Sequence, residues 1–230
     1  MIASLMSSFA DIINKFTGTS NNAMCVIHLQ RAPDRLPYID RLEQKLNMKI
    51  PIFDACEGSS LVANGHPTKC AHTHNYYRSA GEVGCTVSHI NICKEALKQN
   101  YDHIVIFEDD CELNKSLEEL KVKLDEFKNL NVPWDLFCIG GDNIGTHIND
   151  TFMRVDYFYR THAVILNRTF MKELISLYET FYRNGTTWAV DGLYSDVLRS
   201  RKAHGYGFIP NTNNVFFRQA LGVKSYIERP

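Results

Sequence analysis

Apolar residues follow two kinds of pattern along this chain of 230 residues. Short continuous runs alternate with stretches in which apolar positions return every three or four residues. Met24-Cys25-Val26-Ile27-His28-Leu29 is a run of the first kind and predicts a first strand. Leu36, Ile39, Leu42 and Leu46 then recur at helical spacing, and Pro51-Ile52-Phe53-Asp54-Ala55 predicts a second strand. A helix is expected over 81–98, with Val83, Val87, Ile90 and Leu97 on its buried side. His103-Ile104-Val105-Ile106-Phe107 is continuous and apolar, as a strand covered on both faces must be. After it come a charged amphipathic helix over 113–130, a strand closed by glycines over 134–141, and a polar loop over 142–156. Thr161-His162-Ala163-Val164-Ile165-Leu166 predicts a further strand, followed by helices over 169–184 and 190–201 and a weak strand, Gly207-Phe208-Ile209. Residues 57–80 show no period and read as a long loop, a class that is often functional or mobile. Strands alternating with helices predict an α/β sandwich with a mostly parallel sheet.

Residues 1–22 lie ahead of this alternation and predict either a short amphipathic helix ending near Gly18 or a loosely docked arm. Residues 23–230 carry no linker or repeat and are expected to form one domain. The 25 basic and 26 acidic side chains nearly cancel, so no global field draws the chain to nucleic acid or anionic lipid. Residues 1–22 lack a basic start and Asp11 interrupts their apolar stretch, so neither a signal peptide nor a membrane-spanning segment is expected from this sequence. The seven cysteines form no CxxC pair, and most sit in apolar runs. A reducing compartment is expected, the cytoplasm of a bacterium or of a cell infected by a virus.

The candidate chemistry begins where the strongest strand ends, at Glu108-Asp109-Asp110. Ligands of open α/β sheets bind at that edge. Side chains two apart on a strand point the same way, so Glu108 and Asp110 face one site and Asp109 another. Clustered carboxylates repel unless a cation lies between them, and Mg²⁺ or Mn²⁺ suits a site of this kind. The alternative is a solvated acidic turn. No GxxxxGK[ST] or GxGxxG signature is present, which argues against a P-loop nucleotidase or a dinucleotide enzyme. A metal held by carboxylates then carries phosphate recognition, as in transferases that use nucleotide sugars. Arg31 and Arg35 follow the first strand, placed for a uracil or a phosphate, or else for a surface ion pair with Asp34 or Asp40. His66, Cys70, His72 and His74 form a local cluster in the long loop, readable as a zinc site or as part of a mobile lid on the acceptor side.

Several blocks of the chain resemble glycosyltransferase family 25, which includes bacterial lipooligosaccharide galactosyltransferases and the collagen hydroxylysine galactosyltransferases. The opening Val26-Ile27-His28-Leu29-Gln30-Arg31-Ala32-Pro33-Asp34-Arg35 is similar to the family's V-I-N-L-x-R-R-P-D-R. Gly81-Glu82-Val83-Gly84-Cys85-Thr86-Val87-Ser88-His89 resembles G-E-I-G-C-x-x-S-H, and Phe107-Glu108-Asp109-Asp110 resembles L-E-D-D. Trp134-Asp135-Leu136-Phe137-Cys138-Ile139-Gly140, the 161–166 strand and Val190-Asp191 match further blocks. His28 stands where the family has Asn, and Ser225-Tyr226-Ile227 where it has S-D-I.

The resemblance implies a GT-A fold, a Rossmann-like α/β/α sandwich. It also implies metal-dependent, inverting transfer of a hexose, usually galactose, from a UDP-sugar, with Mn²⁺ the usual ion. Glu108 and Asp110 then coordinate the metal, and Asp109 bonds the ribose or sugar. His28, Glu82, Ser88 and His89 line the donor site. Read alone, His89 is equally a satisfied structural histidine. Asp191, at a helix start, is the expected catalytic base, a place where Asp also serves as a helix cap. His204 and Gln219 are both candidates for a third metal ligand. The acceptor implied is a glycan, glycolipid or hydroxylysine-bearing protein. Two rival readings stand beside it: a Mg²⁺-dependent nucleotidyltransferase that uses the same carboxylates, and a non-catalytic carbohydrate- or protein-binding module on a decayed transferase fold, against which intact Glu108, Asp110 and Asp191 argue.

Overall fold

A computed structural model describes residues 7–73, 76–200, 203–210 and 215–221. Its centre is a six-stranded sheet. Strands β1 (Asn22–His28), β2 (Ile52–Asp54) and β3 (His103–Glu108) run parallel, and β5 (Leu136–His147) and β7 (Gly205–Phe208) share their direction. Only β6 (Phe152–Asn167) runs the other way, in the order β2-β1-β3-β6-β5-β7. A two-stranded ribbon of β4 (Cys111–Leu113) and β8 (Phe217–Gln219) lies beyond the tip of β3.

Strand alternation divides the core into two layers. Ile104 and Ile106 of β3 pack with Cys25 and Ile27 under helices α4 (Ala80–Lys98), α6 (Arg168–Arg183) and α7 (Val190–Ser200). Val105 and Phe107 point the opposite way, with Val26, under α1 (Phe9–Thr17), α2 (Leu36–Leu46) and α5 (Leu117–Lys128). This is the α/β/α sandwich that the alternating patterns predict. Helix α1 is no loose arm. Ser8 and Asp11 form a capping box, Gly18 closes the helix at φ 76°, and Phe9 and Ile13 are fully buried. Phe9 packs its ring against Phe107 and Phe217. Among the described residues no helix is long and apolar enough to cross a membrane.

Three expectations need correction. The stretch 142–156 is not a loop. It is the outer part of a β5–β6 hairpin, in register from Asp142 with Tyr159 to His147 with Met153. Register shifts at Gly140, Asp142 and Gly145 break the period of two that would have marked it. The charged helix starts at Leu117 rather than 113, because Ser116 caps it and Leu113 pairs with Phe217 in the ribbon. The long loop holds a short helix, α3 (Gly58–Ala63), packed against the start of α4.

Candidate functional site

The C-terminal tips of β1 and β3, the first turns of α4 and α7 and the middle of β6 enclose a cavity of about 440 Å³. Reversal of β6 matters here. It brings Thr161 and His162, at the middle of that strand, beside the tip of β3, where Phe107 pairs with Ala163.

The three carboxylates part company at the strand end. Asp109 continues the Val105–Phe107 face toward α2. There it meets His28 Nδ1, which donates to Asp109 Oδ2 at 2.9 Å, and the Arg35 guanidinium, which binds Oδ1. His28 follows Val26 on the same face of β1, so two strands of equal parity supply this buried cluster. Glu108 continues the Ile104–Ile106 face toward α4. Thr161 Oγ1 donates to Glu108 Oε1 at 2.6 Å, and His162 Nδ1 lies 3.3 Å from Oε2. Desolvation raises the Glu108 carboxyl, but the His162 bond and the nearby imidazoles outweigh it and bring it down to about 2. Burial lowers the His162 ring, and the Glu108 partner more than restores it, so its value ends above normal.

Asp110 lies past the strand end. Gln219 Nε2 donates to its Oδ2 at 3.0 Å, and Arg35 Nη1 is 3.2 Å from the same oxygen. Its other oxygen, Oδ1, is buried with no hydrogen-bond partner. Burial and the charge of Glu108 push the Asp110 carboxyl up. Glu108, Asp110 and His162 offer ligand atoms that all lie within 4.8 Å of one another.

The rest of the wall is held by local bonds. Glu82 sits at the third position of α4, closes a capping box with Ser79 and binds Arg78 at 2.9 Å. Ser88 Oγ donates to Gly84 O at 2.7 Å and accepts from Cys56 N at 2.8 Å, which pins the 55–58 segment to α4. A Cβ on Gly84 would stand 2.6 Å from Cys56 O and 2.9 Å from Gly58 N. Gly84→Ala is therefore expected to lower stability by about 1–3 kcal/mol, since only backbone can yield. Urea denaturation measures it, and an unchanged midpoint would show that the contact is slack.

Arg31 Nε donates to Glu57 at 2.6 Å at the open mouth. Asp191 lines the far end, in the first turn of α7. Its carboxylate accepts from Gly192 N at 2.8 Å and from Arg160 N at 3.5 Å. Burial raises the Asp191 carboxyl above its ordinary value. Arg160 lines the same end with φ 63°, a left-handed conformation uncommon outside glycine.

Of the residues expected at a donor site, Arg31, Arg35, Glu82, Ser88, Glu108, Asp109, Asp110 and Asp191 all line this cavity. His28 and His89 are buried behind its wall. Of the two extra ligand candidates, Gln219 reaches Asp110, whereas His204 lies by Asp135 at the opposite sheet edge. The sequence marks Thr161 and His162 only as part of a strand, with no signal that they reach Glu108. The loop cluster does not assemble. His66 accepts from the Tyr178 hydroxyl, His72 binds Asp196, Cys70 lies by Arg78, and His74 falls outside the described residues, as does the 225–227 block.

A family model described as glycosyltransferase family 25 (LPS biosynthesis protein) matches residues 21–194. "Probable inactive glycosyltransferase 25 family member 3" of Bos taurus is 24% identical over 166 residues, 66% of this chain and 28% of that protein. "Procollagen galactosyltransferase 1-A" of Xenopus laevis is 28% identical over 145 residues, 59% of this chain and 24% of that protein. The chain spans about a quarter of the length of these relatives. The solved structure of "a glycosyltransferase involved in the glycosylation of the major capsid of PBCV-1" superposes with a TM-score of 0.48 at 10% identity, over 88% of this chain and 94% of that one.

Proposed function

The chain belongs to glycosyltransferase family 25, and from that premise we propose that it moves a hexose, galactose or glucose, from a UDP-sugar to an acceptor hydroxyl with inversion at the anomeric carbon. The acceptor is a glycan, a glycolipid or a hydroxylysine-type side chain. The observation that carries the reading is Asp110 Oδ1, a buried carboxylate oxygen without a partner in the cavity that Glu108 and Asp191 also line. Such an orphan is costly to bury, and a cation relieves it.

The residues present fit a hard divalent ion. Glu108 and Asp110 would hold Mn²⁺ or Mg²⁺, with His162 and Gln219 beside them. When bound, the ion supplies positive charge to the departing diphosphate oxygens. The protein's own groups do the rest. Thr161 and His162 fix Glu108 in its ionised form. Arg35 holds Asp109 and steadies Asp110 from below. Arg31, at the mouth, is placed for the nucleotide. Asp191 takes the proton from the acceptor hydroxyl as that oxygen attacks the anomeric carbon and UDP leaves. The N–H groups of Gly192 and Arg160 orient its carboxylate for that task. The cysteines, none of them paired, support a reducing, cytoplasmic setting.

Asp191→Asn is expected to leave UDP binding intact and to slow transfer by about 10²-fold or more. A base must be deprotonated to act, so wild-type kcat falls as pH drops through the raised value of Asp191, above the ordinary 3.8. The variant lacks that acidic limb. Equal loss of UDP binding and transfer would reduce Asp191 to a structural acceptor for its two N–H groups.

The reading as a whole is tested with a panel of UDP-, GDP- and CMP-sugars, assayed for hydrolysis with Mn²⁺. Mn²⁺-dependent release of UDP is expected. Pyrophosphate release from nucleoside triphosphates would favour a nucleotidyltransferase, and binding without turnover a decayed module.

A further inference from the structure

His89 is a buried group that the transfer scheme leaves unused. Its ring is wholly buried. Nδ1 lies 2.9 Å from the Tyr194 hydroxyl, and Nε2 has no hydrogen-bond partner. Burial holds the ring neutral, at about 4, in spite of the nearby Glu108 charge. Cys85 stands four residues earlier on α4, on the same side of the helix, and lines the cavity. A ring nitrogen of His89, the Cys85 sulfur and a Glu108 oxygen all lie within 4.8 Å of one another.

We propose that Cys85, His89 and Glu108 form a second cation site, suited to a thiophilic divalent ion of the Zn²⁺ class. The three donors are a sulfur, an imidazole nitrogen and a carboxylate oxygen, the set from which zinc sites are built, with bonds of about 2.0–2.3 Å. Hard ions such as Mn²⁺ and Mg²⁺ prefer the carboxylate-rich side of the cavity at Glu108 and Asp110, and thiolate selects against them. Charge balance favours the site as well. A thiolate, a carboxylate and a neutral imidazole exactly cancel the two positive charges, which a buried ion requires. Binding releases the Cys85 thiol proton to solvent. The Tyr194 hydroxyl, bonded to Nδ1, is the outer partner that sets the ring with Nε2 toward the ion. Because Glu108 also serves the Asp110–His162 group, an ion held here draws on a carboxylate that the hard-ion site needs. The site rests on its own geometry and holds whether or not the chain transfers sugar.

Co²⁺ is the probe, titrated into the full reduced chain while thiolate-to-cobalt charge-transfer absorption is followed in the near ultraviolet. The band is expected to saturate at one equivalent. Cys85→Ser should abolish it, and His89→Gln should weaken Co²⁺ binding by about tenfold or more. Asp110→Asn should retain it, which separates this site from the proposed catalytic ion. A measurement on the unaltered chain guards against misfolded variants: one equivalent of Zn²⁺ should slow alkylation of Cys85 by about tenfold or more while leaving Cys56 unaffected, as read by peptide mass spectrometry. Absence of the band in the wild type, its survival in Cys85→Ser, or alkylation of Cys85 indifferent to Zn²⁺ would overturn the proposal.

Discussion

Asp110→Asn is expected to reduce metal-dependent turnover by about 10³-fold or more while the metal-free chain stays at least as stable as the wild type. The two halves of that result come from one geometry. Asp110 is 4% exposed, lies near Glu108, and leaves Oδ1 without a partner. Burial and like charge work against its ionised form, so its carboxyl titrates above 3.8. The folded state therefore keeps this proton longer than the unfolded chain does. As pH rises from the ordinary value through the raised one, the Asp110 contribution turns against folding. Asparagine removes the charge and keeps an oxygen for Gln219. It also removes the anionic ligand, and with it several kcal/mol of leaving-group stabilisation. Thermal unfolding in chelator, set beside UDP-sugar turnover in Mn²⁺, measures both. Wild-type turnover in the variant would end the assignment, and earlier unfolding would make Asp110 a structural residue.

The neighbouring carboxylate is expected to behave in the opposite way. Asp109→Ala should destabilise the fold by about 3–5 kcal/mol, because it takes the shared carboxylate from two buried side chains, Arg35 and His28. The side chains of Asp109, Arg35 and His28 are 7%, 10% and 6% exposed. Without Asp109 the guanidinium loses its Oδ1 partner, and the imidazole N–H loses its acceptor. Asp109→Asn should cost less, since an amide oxygen can still accept. Urea denaturation of the two variants gives the comparison. If the alanine variant matched wild-type stability, the cluster would not be the internal brace described above. Asp109 would then be released for the ribose contact that the family resemblance implies.

These adjacent residues show what could and could not be read from the chain. The strand runs and helical periods located the sheet and most helices, because burial imposes those periods directly. The triplet is legible for the same reason: three charges after four apolar residues, Ile104 to Phe107, mark a strand tip. The direction of β6 was not legible. Read as one more parallel strand, residues 161–166 would place Thr161 and His162 at the far edge of the sheet. Only the reversed strand brings them to Glu108. The outer hairpin was lost because its bulges break the alternation. The histidines of the 57–80 loop looked like a set because they are close in sequence. Their partners, Tyr178 and Asp196, lie more than a hundred residues away and pull them apart. Gln219 was one of two candidates until the β4–β8 ribbon set it opposite Cys111.

The most direct measurement is calorimetric titration of UDP into the chain with Mn²⁺ and with chelator. A cation gripped at the tip of β3 and gripping the diphosphate in turn predicts UDP affinity at least about tenfold higher with Mn²⁺. The same gain should be missing in Asp110→Asn. UDP bound as tightly in chelator as in Mn²⁺, with Asp110→Asn no different from wild type, would contradict it.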